Sequence, residues 1–200
     1  MSEIPEGGRR RALGCLFEVV ETLVLTLLIF FGIQTFVAQP YQVEQESMEN
    51  TLLPGQYVLV DKLTPRWDSY ARGDIVVFHA PAGFEPQKDV PFIKRVIALP
   101  GDTVEIRDGS VYVNDVRLSE AYVFDDDAGE GTEPAPDGTT TWKVVEGELF
   151  VLGDHRPASE DSRVFGPIAV SSVLGRAWLR YWPLDQVGVL QPPAYPGIGR

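Results

Sequence analysis

A serine hydroxyl becomes a useful nucleophile only when a neighbouring base takes its proton, so bases are the first residues to count. The chain has two histidines, His79 and His155. Neither has a neighbourhood resembling a Ser-His-Asp triad, although spacing alone leaves one open. Lysine is the other base available, provided its amine is neutral. A free lysine, with a pKa of about 10.4, is protonated at neutral pH, and burial among apolar groups lowers that value. Lys94 in "PFIKRVIAL" lies between Phe92-Ile93 and Val96-Ile97. With period-two alternation Lys94 shares a face with Phe92 and Val96, and Arg95 with Ile93 and Ile97. Periodicity leaves open which of the two points inward. The plain alternative for Lys94 is a charge on an edge strand with its stem laid over apolar surface.

Two further blocks carry polar chemistry. Ser47 in "QVEQESMENTLLPGQYVLVDKL" reads either as a nucleophile or as a hydroxyl at a turn between strands. "GDHRPASEDSRVFGPI", residues 153–168, follows an apolar strand directly. In it Asp161 and Arg163 can form a charge pair that holds the loop. Ser159 or Ser162 can donate to a neutral amine, the support a buried lysine base needs to stay oriented.

The elements that must position these groups are strands. "QYVLVDKL", "DIVVFHA", "FIKRVIAL", "DTVEIRDGSVYVNDVRL", "ELFVLGD" and "VLGRAWLRYW" are short, rich in Val, Ile, Phe and Tyr, and separated by Gly, Pro or Asp. Asp108-Gly109 marks a hairpin turn, and "LPG" at 53–55 and "LPGD" at 99–102 are turn signals. No helical periodicity persists after residue 40. The pattern predicts an all-β domain with one short helical turn. Residues 120–148 concentrate acids, Gly and Pro around a single base, Lys143, and read as an exposed, partly mobile insertion. The Pro- and Gly-rich tail from 186 to 200 carries no assignable chemistry.

Two hundred residues with 44% hydrophobic content suit one ordinary domain plus a targeting segment. A net charge of −12 argues against nucleic acid bound through a basic surface. A single cysteine, Cys15, excludes an internal disulfide, and two histidines exclude a His-rich metal site. "TLVLTLLIFFGIQTFVA", residues 22–38, is free of charge and long enough to span a bilayer. A buried core helix and a cleavable signal peptide are the alternatives, but nothing else in the chain is helical enough to pack around it, and no clear cleavage site precedes Gln39-Pro40. Arg9, Arg10 and Arg11 precede the segment with no similar cluster close behind it. The positive-inside rule then puts the N-terminus in the cytoplasm and the residues after about 40 outside. The expected organisation is a cytoplasmic tail at 1–15, a transmembrane helix at 16–39, an extracytoplasmic domain at 40–185 and the tail at 186–200.

Taken in order, these blocks resemble type I signal peptidases, membrane-anchored serine peptidases with a Ser-Lys dyad. "ESMENTLLPGQYVLVDK", "ARGDIVVFHAP", "IKRVIALPGDTVEIRDGSVYVND" and "LGDHRPASEDSRVFGPI" are similar to the family's successive blocks and cover most of residues 40–182. The resemblance implies coiled antiparallel sheets, with Ser47 as nucleophile and Lys94 as general base. It implies that Ser159 hydrogen-bonds the lysine amine, that Asp161 and Arg163 stabilise that corner, and that Gly153 and Asp154 shape the adjoining turn. A substrate strand would add between residues 40–47 and 91–94. Val43, Met48, Leu52, Phe92 and Ile93 would line shallow pockets for small side chains, and ordinary core packing is the alternative for each. The implied substrates are signal-peptide-bearing preproteins cut after Ala-x-Ala-like sites beside the lipid bilayer, near the export translocon. No metal or organic cofactor is implied, and no nucleic acid.

Four positions depart from the family's usual residues. Glu46 stands where glycine is common, and Asn50 where proline is usual. Gln45 replaces the hydroxyl residue that completes the oxyanion hole in several members, leaving its amide as the available donor. His155 replaces an asparagine, as a turn residue. These departures motivate an alternative, a catalytically weakened membrane-tethered β protein that binds exported chains. A Ser-Lys autoprotease related to the SOS repressors is disfavoured, because the chain is acidic and begins with an anchor.

Overall fold

A computed structural model describes residues 6–66, 69–84, 90–124 and 131–198. Residues 1–5 of the expected cytoplasmic tail, 125–130 of the acidic insertion and 199–200 of the C-terminal tail lie outside the described residues. The chain divides into two units, Met1–Ala38 and Gln39–Arg200.

The first unit is one helix, α1 (Glu6–Phe36). Its apolar stretch, Gly14–Gly32, has a mean hydropathy of 2.1 and no part buried against protein. Nineteen helical residues rise about 29 Å, close to the thickness of a bilayer's hydrocarbon core. Side chains such as Leu23, Leu28 and Phe31 are exposed, as suits lipid contact. The two threonines of this apolar stretch hide their hydroxyls along the helix. Thr22 Oγ1 donates to the Glu18 carbonyl at 2.8 Å, and Thr26 Oγ1 to that of Thr22 at 2.7 Å.

The second unit is built from strands, because runs of Val, Ile and Phe pack well on a pleated surface. In chain order they are β1 (Ala38–Gln42), β2 (Tyr57–Asp61), β3 (Ile75–Phe78), β4 (Phe92–Ala98), β5 (Thr103–Arg107), β6 (Ser110–Val113), β7 (Val116–Arg117), β8 (Thr141–Lys143) and β9 (Glu148–Leu152). A one-turn helix α2 (Ser162–Phe165), β10 (Ile168–Ala169), β11 (Val173–Trp182) and β12 (Gly188–Val189) complete the set. The larger sheet has the order β1-β2-β11-β3-β4-β9-β10, with β12 also on β11, and the smaller one runs β7-β6-β5-β8. The pairings of β4 with β3 and β9, and of β11 with β2 and β3, are antiparallel. The Asp108-Gly109 turn joins β5 to β6 with both residues at positive φ, 49° and 70°, as a two-residue hairpin of primed type requires.

Strand β4 is interior to the larger sheet and buried at every residue, so the edge-strand alternative for Lys94 does not hold. Apolar groups cover both of its faces. One cluster gathers Val76, Phe78, Phe92, Val96 and Val151, and another gathers Val43, Met48, Leu52, Val77 and Ile93. Lys94 and Arg95 are therefore both inward, a choice that one-sided alternation could not offer.

The described part of the acidic segment is mostly exposed, as expected, but it is tied into the fold at a few points. Strand β8 pairs with β5, and Thr132, Ala135 and Val144 are buried. Val144 joins the smaller sheet's core cluster and Trp142 packs against it. The tail also docks. Leu190 N–H donates to the Trp178 carbonyl at 2.8 Å, Tyr195 and Ile198 pack on the smaller sheet's cluster, and Tyr195 Oη donates to Tyr122 Oη at 2.8 Å.

Candidate active site

Ser47 sits in a single 3-10 turn, Glu46–Met48, that follows the extended residues 42–45. The turn closes through Glu49 N–H to the Glu46 carbonyl at 2.9 Å, and Leu52 N–H returns to the Met48 carbonyl at 2.7 Å. This local bonding turns the Ser47 side chain inward, where the residue is only 2% exposed. Lys94 reaches it from the middle of β4, where it pairs with Val76 and is 1% exposed. Lys94 Nζ lies 2.7 Å from Ser47 Oγ, and 5.3 Å from the centre of the Phe92 ring.

Burial sets the state of that amine. Loss of water contact drives the Lys94 pKa down to about 8, partly opposed by the carboxylates of Asp161 and Glu160, while the Arg163 charge pushes it further down. About a tenth of such amines are neutral at pH 7, far more than for a free lysine. A neutral amine 2.7 Å from a serine oxygen can accept its proton, the geometry of a general base with its nucleophile.

The loop after β9 is fitted to this pair. A Cβ placed on Gly153 would come within 2.5 Å of the Ser47 carbonyl oxygen and 2.3 Å of Ser159 Oγ, so only glycine lets the two segments meet. Asp161 caps α2 and accepts from Gly153 N–H at 3.0 Å. It also takes Arg163 in a two-point contact, Nε at 2.8 Å and Nη2 at 2.9 Å. The expected Asp161–Arg163 pair is thus present and buried. Ser162 Oγ accepts from Val151 N–H at 2.9 Å, so that hydroxyl serves β9 and is not placed at the amine. Ser159 Oγ is buried without a hydrogen-bond partner, so the structure does not form the expected bond from Ser159 to Lys94.

Sequence reasoning missed a second buried cluster. Arg95 Nε and Nη2 clasp Asp154 at 2.8 and 2.6 Å, Thr51 Oγ1 donates to Asp154 Oδ2 at 2.5 Å, and the guanidinium stacks 4.1 Å over the Tyr122 ring. The cluster pins the residues just after Ser47 to the strand bearing Lys94. No local pattern in the sequence signals it: the burial of β4 on both faces, which obliges an acid to meet the permanently charged Arg95, emerges only in the fold. Asn50 completes the frame. Its φ of 77° is closed to proline, and its Nδ2 donates to the Tyr122 carbonyl at 3.1 Å. The departure from proline at this position therefore has a backbone cause.

Two hollows are walled by residues next to Ser47 and Lys94 in the chain, though by neither of the two themselves. One, of about 270 Å³, runs between residues 39–45 and 90–93 and is walled by Tyr41, Val43, Val58, Val77 and Ile93. The other, about 370 Å³, is walled by Glu44, Gln45, Glu46, Phe92, Ala158 and Glu160. Of the five residues expected to line pockets, Val43, Ile93 and Phe92 therefore border open space. Met48 and Leu52 are wholly buried, border neither hollow, and pack with Val43 and Ile93. Gln45 is exposed at the start of the turn, and its side chain makes no capping bond.

Known proteins share this arrangement of blocks. A family described as "Signal peptidase, peptidase S26" matches residues 16–182. The chain is 35% identical to signal peptidase I of Leptolyngbya laminosa, over 94% of this chain and 91% of that one. It is 36% identical to a probable signal peptidase I-2 of Synechocystis sp., over 88% and 78%. It is 32% identical to signal peptidase IB of Staphylococcus aureus, over 86% and 92%. With more than half its length matched and relatives aligned almost end to end, the chain belongs to the signal peptidase family, peptidase S26.

Proposed function

We propose that this membrane-anchored serine endopeptidase, a signal peptidase by family, cleaves preproteins by acyl transfer to Ser47 with Lys94 as general base. The observation that carries the assignment is the 2.7 Å contact between two buried groups, one of them an amine whose pKa is held near 8. Neutral Lys94 Nζ takes the Ser47 proton as Oγ attacks the scissile carbonyl carbon. The new C–O bond puts negative charge on the carbonyl oxygen, which Ser47 N–H stabilises, with the Gln45 side-chain amide as second donor. Collapse breaks the C–N bond, and the Lys94 ammonium gives its proton to the leaving amine. Lys94, neutral again, then deprotonates a water that releases the acyl group and restores Ser47. Ser159 Oγ, a buried hydroxyl with its bonding capacity unused, is the group we assign to steady Nζ while Ser47 is acylated.

The hollow between residues 39–45 and 90–93 has the shape and apolar walls to take an extended peptide beside β1, with Val43 and Ile93 against its small side chains and Met48 and Leu52 packed behind them. Phe92 borders the adjoining hollow. This supports cleavage after Ala-x-Ala-like sites. Asp161 and Arg163 hold the loop that carries Ser159. The arginine cluster ahead of the apolar stretch Gly14–Gly32 supports an N-terminus in the cytoplasm and a catalytic unit on the far side of the cell membrane, near the translocon that delivers its substrates. The alternative of a weakened binding protein is not favoured, because curated relatives along most of the chain are peptidases. The decisive assay is cleavage of a preprotein with an Ala-x-Ala site. Wild type cuts it, while Ser47→Ala and Lys94→Ala do not; full activity in Ser47→Ala would end the assignment.

A further inference from the structure

The Ser47 turn is only three residues long, so its own backbone bonds cannot fix the direction of the Ser47 side chain to the fraction of an ångström that proton transfer needs. Something outside the turn must hold it. Two contacts converge there from one residue of the opposite loop. His155 N–H donates to the Ser47 carbonyl at 3.1 Å, and His155 Nδ1 lies 2.8 Å from Glu49 Oε2. Glu49 N–H in turn closes the turn on the Glu46 carbonyl. One histidine therefore grips the turn at Ser47 through its backbone and at Glu49 through its ring.

The imidazole is itself held. Its ring lies 4.5 Å from that of Phe124, whose N–H donates to the Asp154 carbonyl at 2.9 Å. The two partners are mostly buried, with side chains 14% and 22% exposed for His155 and Glu49. A carboxylate and an imidazole removed from water bond each other more strongly than an exposed pair does. Neither residue is among those walling the two hollows.

We propose that Glu49 and His155 form a positioning pair that holds the Ser47 turn against the 153–161 loop and keeps Oγ aimed at Lys94 Nζ, without touching substrate. The inference rests on the Ser47–Lys94 reading. It accounts together for two features of this chain, a glutamate two residues after Ser47 and a histidine at 155.

The test is steady-state cleavage of a preprotein by full-length enzyme in detergent, comparing His155→Ala, His155→Asn, Glu49→Ala, Glu49→Gln and the double alanine variant. Each alanine variant is expected to lose about ten- to a hundredfold in kcat with KM changed less than about twofold, as for a misaimed nucleophile. The asparagine and glutamine variants keep a donor–acceptor contact at the same place and are expected within about threefold of wild type. The double variant is expected to be no slower than the slower single one, since the two residues act as a unit. Three results would overturn the pair: additive losses, a change confined to KM, or an asparagine variant as slow as the alanine one. Ser47→Ala in the same assay separates the failures. Full activity there overturns the dyad and this inference together, while an inactive Ser47→Ala beside an unimpaired His155→Ala overturns the pair alone.

Discussion

Lys94, the proposed general base, is buried, and that burial has two measurable consequences. The first is kinetic. Because only the neutral amine can accept a proton, kcat/KM for a peptide substrate should rise tenfold per pH unit and level off above about pH 8. Glu160 raises the Lys94 pKa, so Glu160→Gln should move the midpoint to lower pH and increase the rate at pH 7. A midpoint moved upward would contradict the electrostatic account. The second consequence is thermodynamic. The folded-state pKa lies below the unfolded value of 10.5, so between about pH 8 and 10.5 the unfolded chain binds more protons and wild-type stability rises with pH. Below about pH 8 the protonated, buried amine costs a constant amount, roughly 3 kcal/mol for a pKa of about 8 against 10.5. Lys94→Met should therefore be inactive yet more stable than wild type at pH 7, with the gain shrinking by pH 10. Thermal melting at the two pH values checks this.

At the scale of elements, the site depends on how β4, the Ser47 turn and the 153–161 loop are fastened together. Asp154 joins all three, bonding Arg95 of β4 and Thr51 beyond the turn from its own place in the loop. Asp154→Asn leaves the Arg95 charge buried with a neutral partner. It should cost about 3–5 kcal/mol of stability, read by denaturant titration. The strands were legible because β-branched and aromatic runs broken by Gly, Pro and Asp mark a pleated, half-buried surface. Their partners were less so. Arg95 and Asp154 stand 59 residues apart, and Glu49 and His155 stand 106 apart, separations at which no local pattern operates. Alternation also assumes a sheet with one dry face, and β4 has two, so the choice between Lys94 and Arg95 was never a real one. Ser47 and Lys94 are assigned through a resemblance of ordered blocks, since their own neighbourhoods fit a turn hydroxyl and an edge charge better than a dyad. The exposure of the acidic segment follows its composition, but composition averages hide Thr132, Ala135 and Val144, which tie it to the fold.

At the scale of the whole molecule, the two units separate in composition as in structure, one an apolar helix and the other a sheeted domain with a core of its own. A domain with its own core should fold without the helix. Residues 39–200 expressed alone should cleave a short soluble peptide at a rate within a few-fold of the full chain, and should lose much more on a preprotein embedded in vesicles. Equal losses on both substrates would show that the helix supports the fold as well as the membrane location. The docked tail bears on the order in which the molecule is completed. A chain emerges from its N-terminus onward, so the Ser47 turn exists long before Tyr195 does. Yet Tyr195 closes on Tyr122, and the Tyr122 carbonyl accepts from Asn50, three residues beyond the nucleophile. A stretch synthesised long after the Ser47 turn thus latches the segment next to it, and that frame closes only once Tyr195 has emerged.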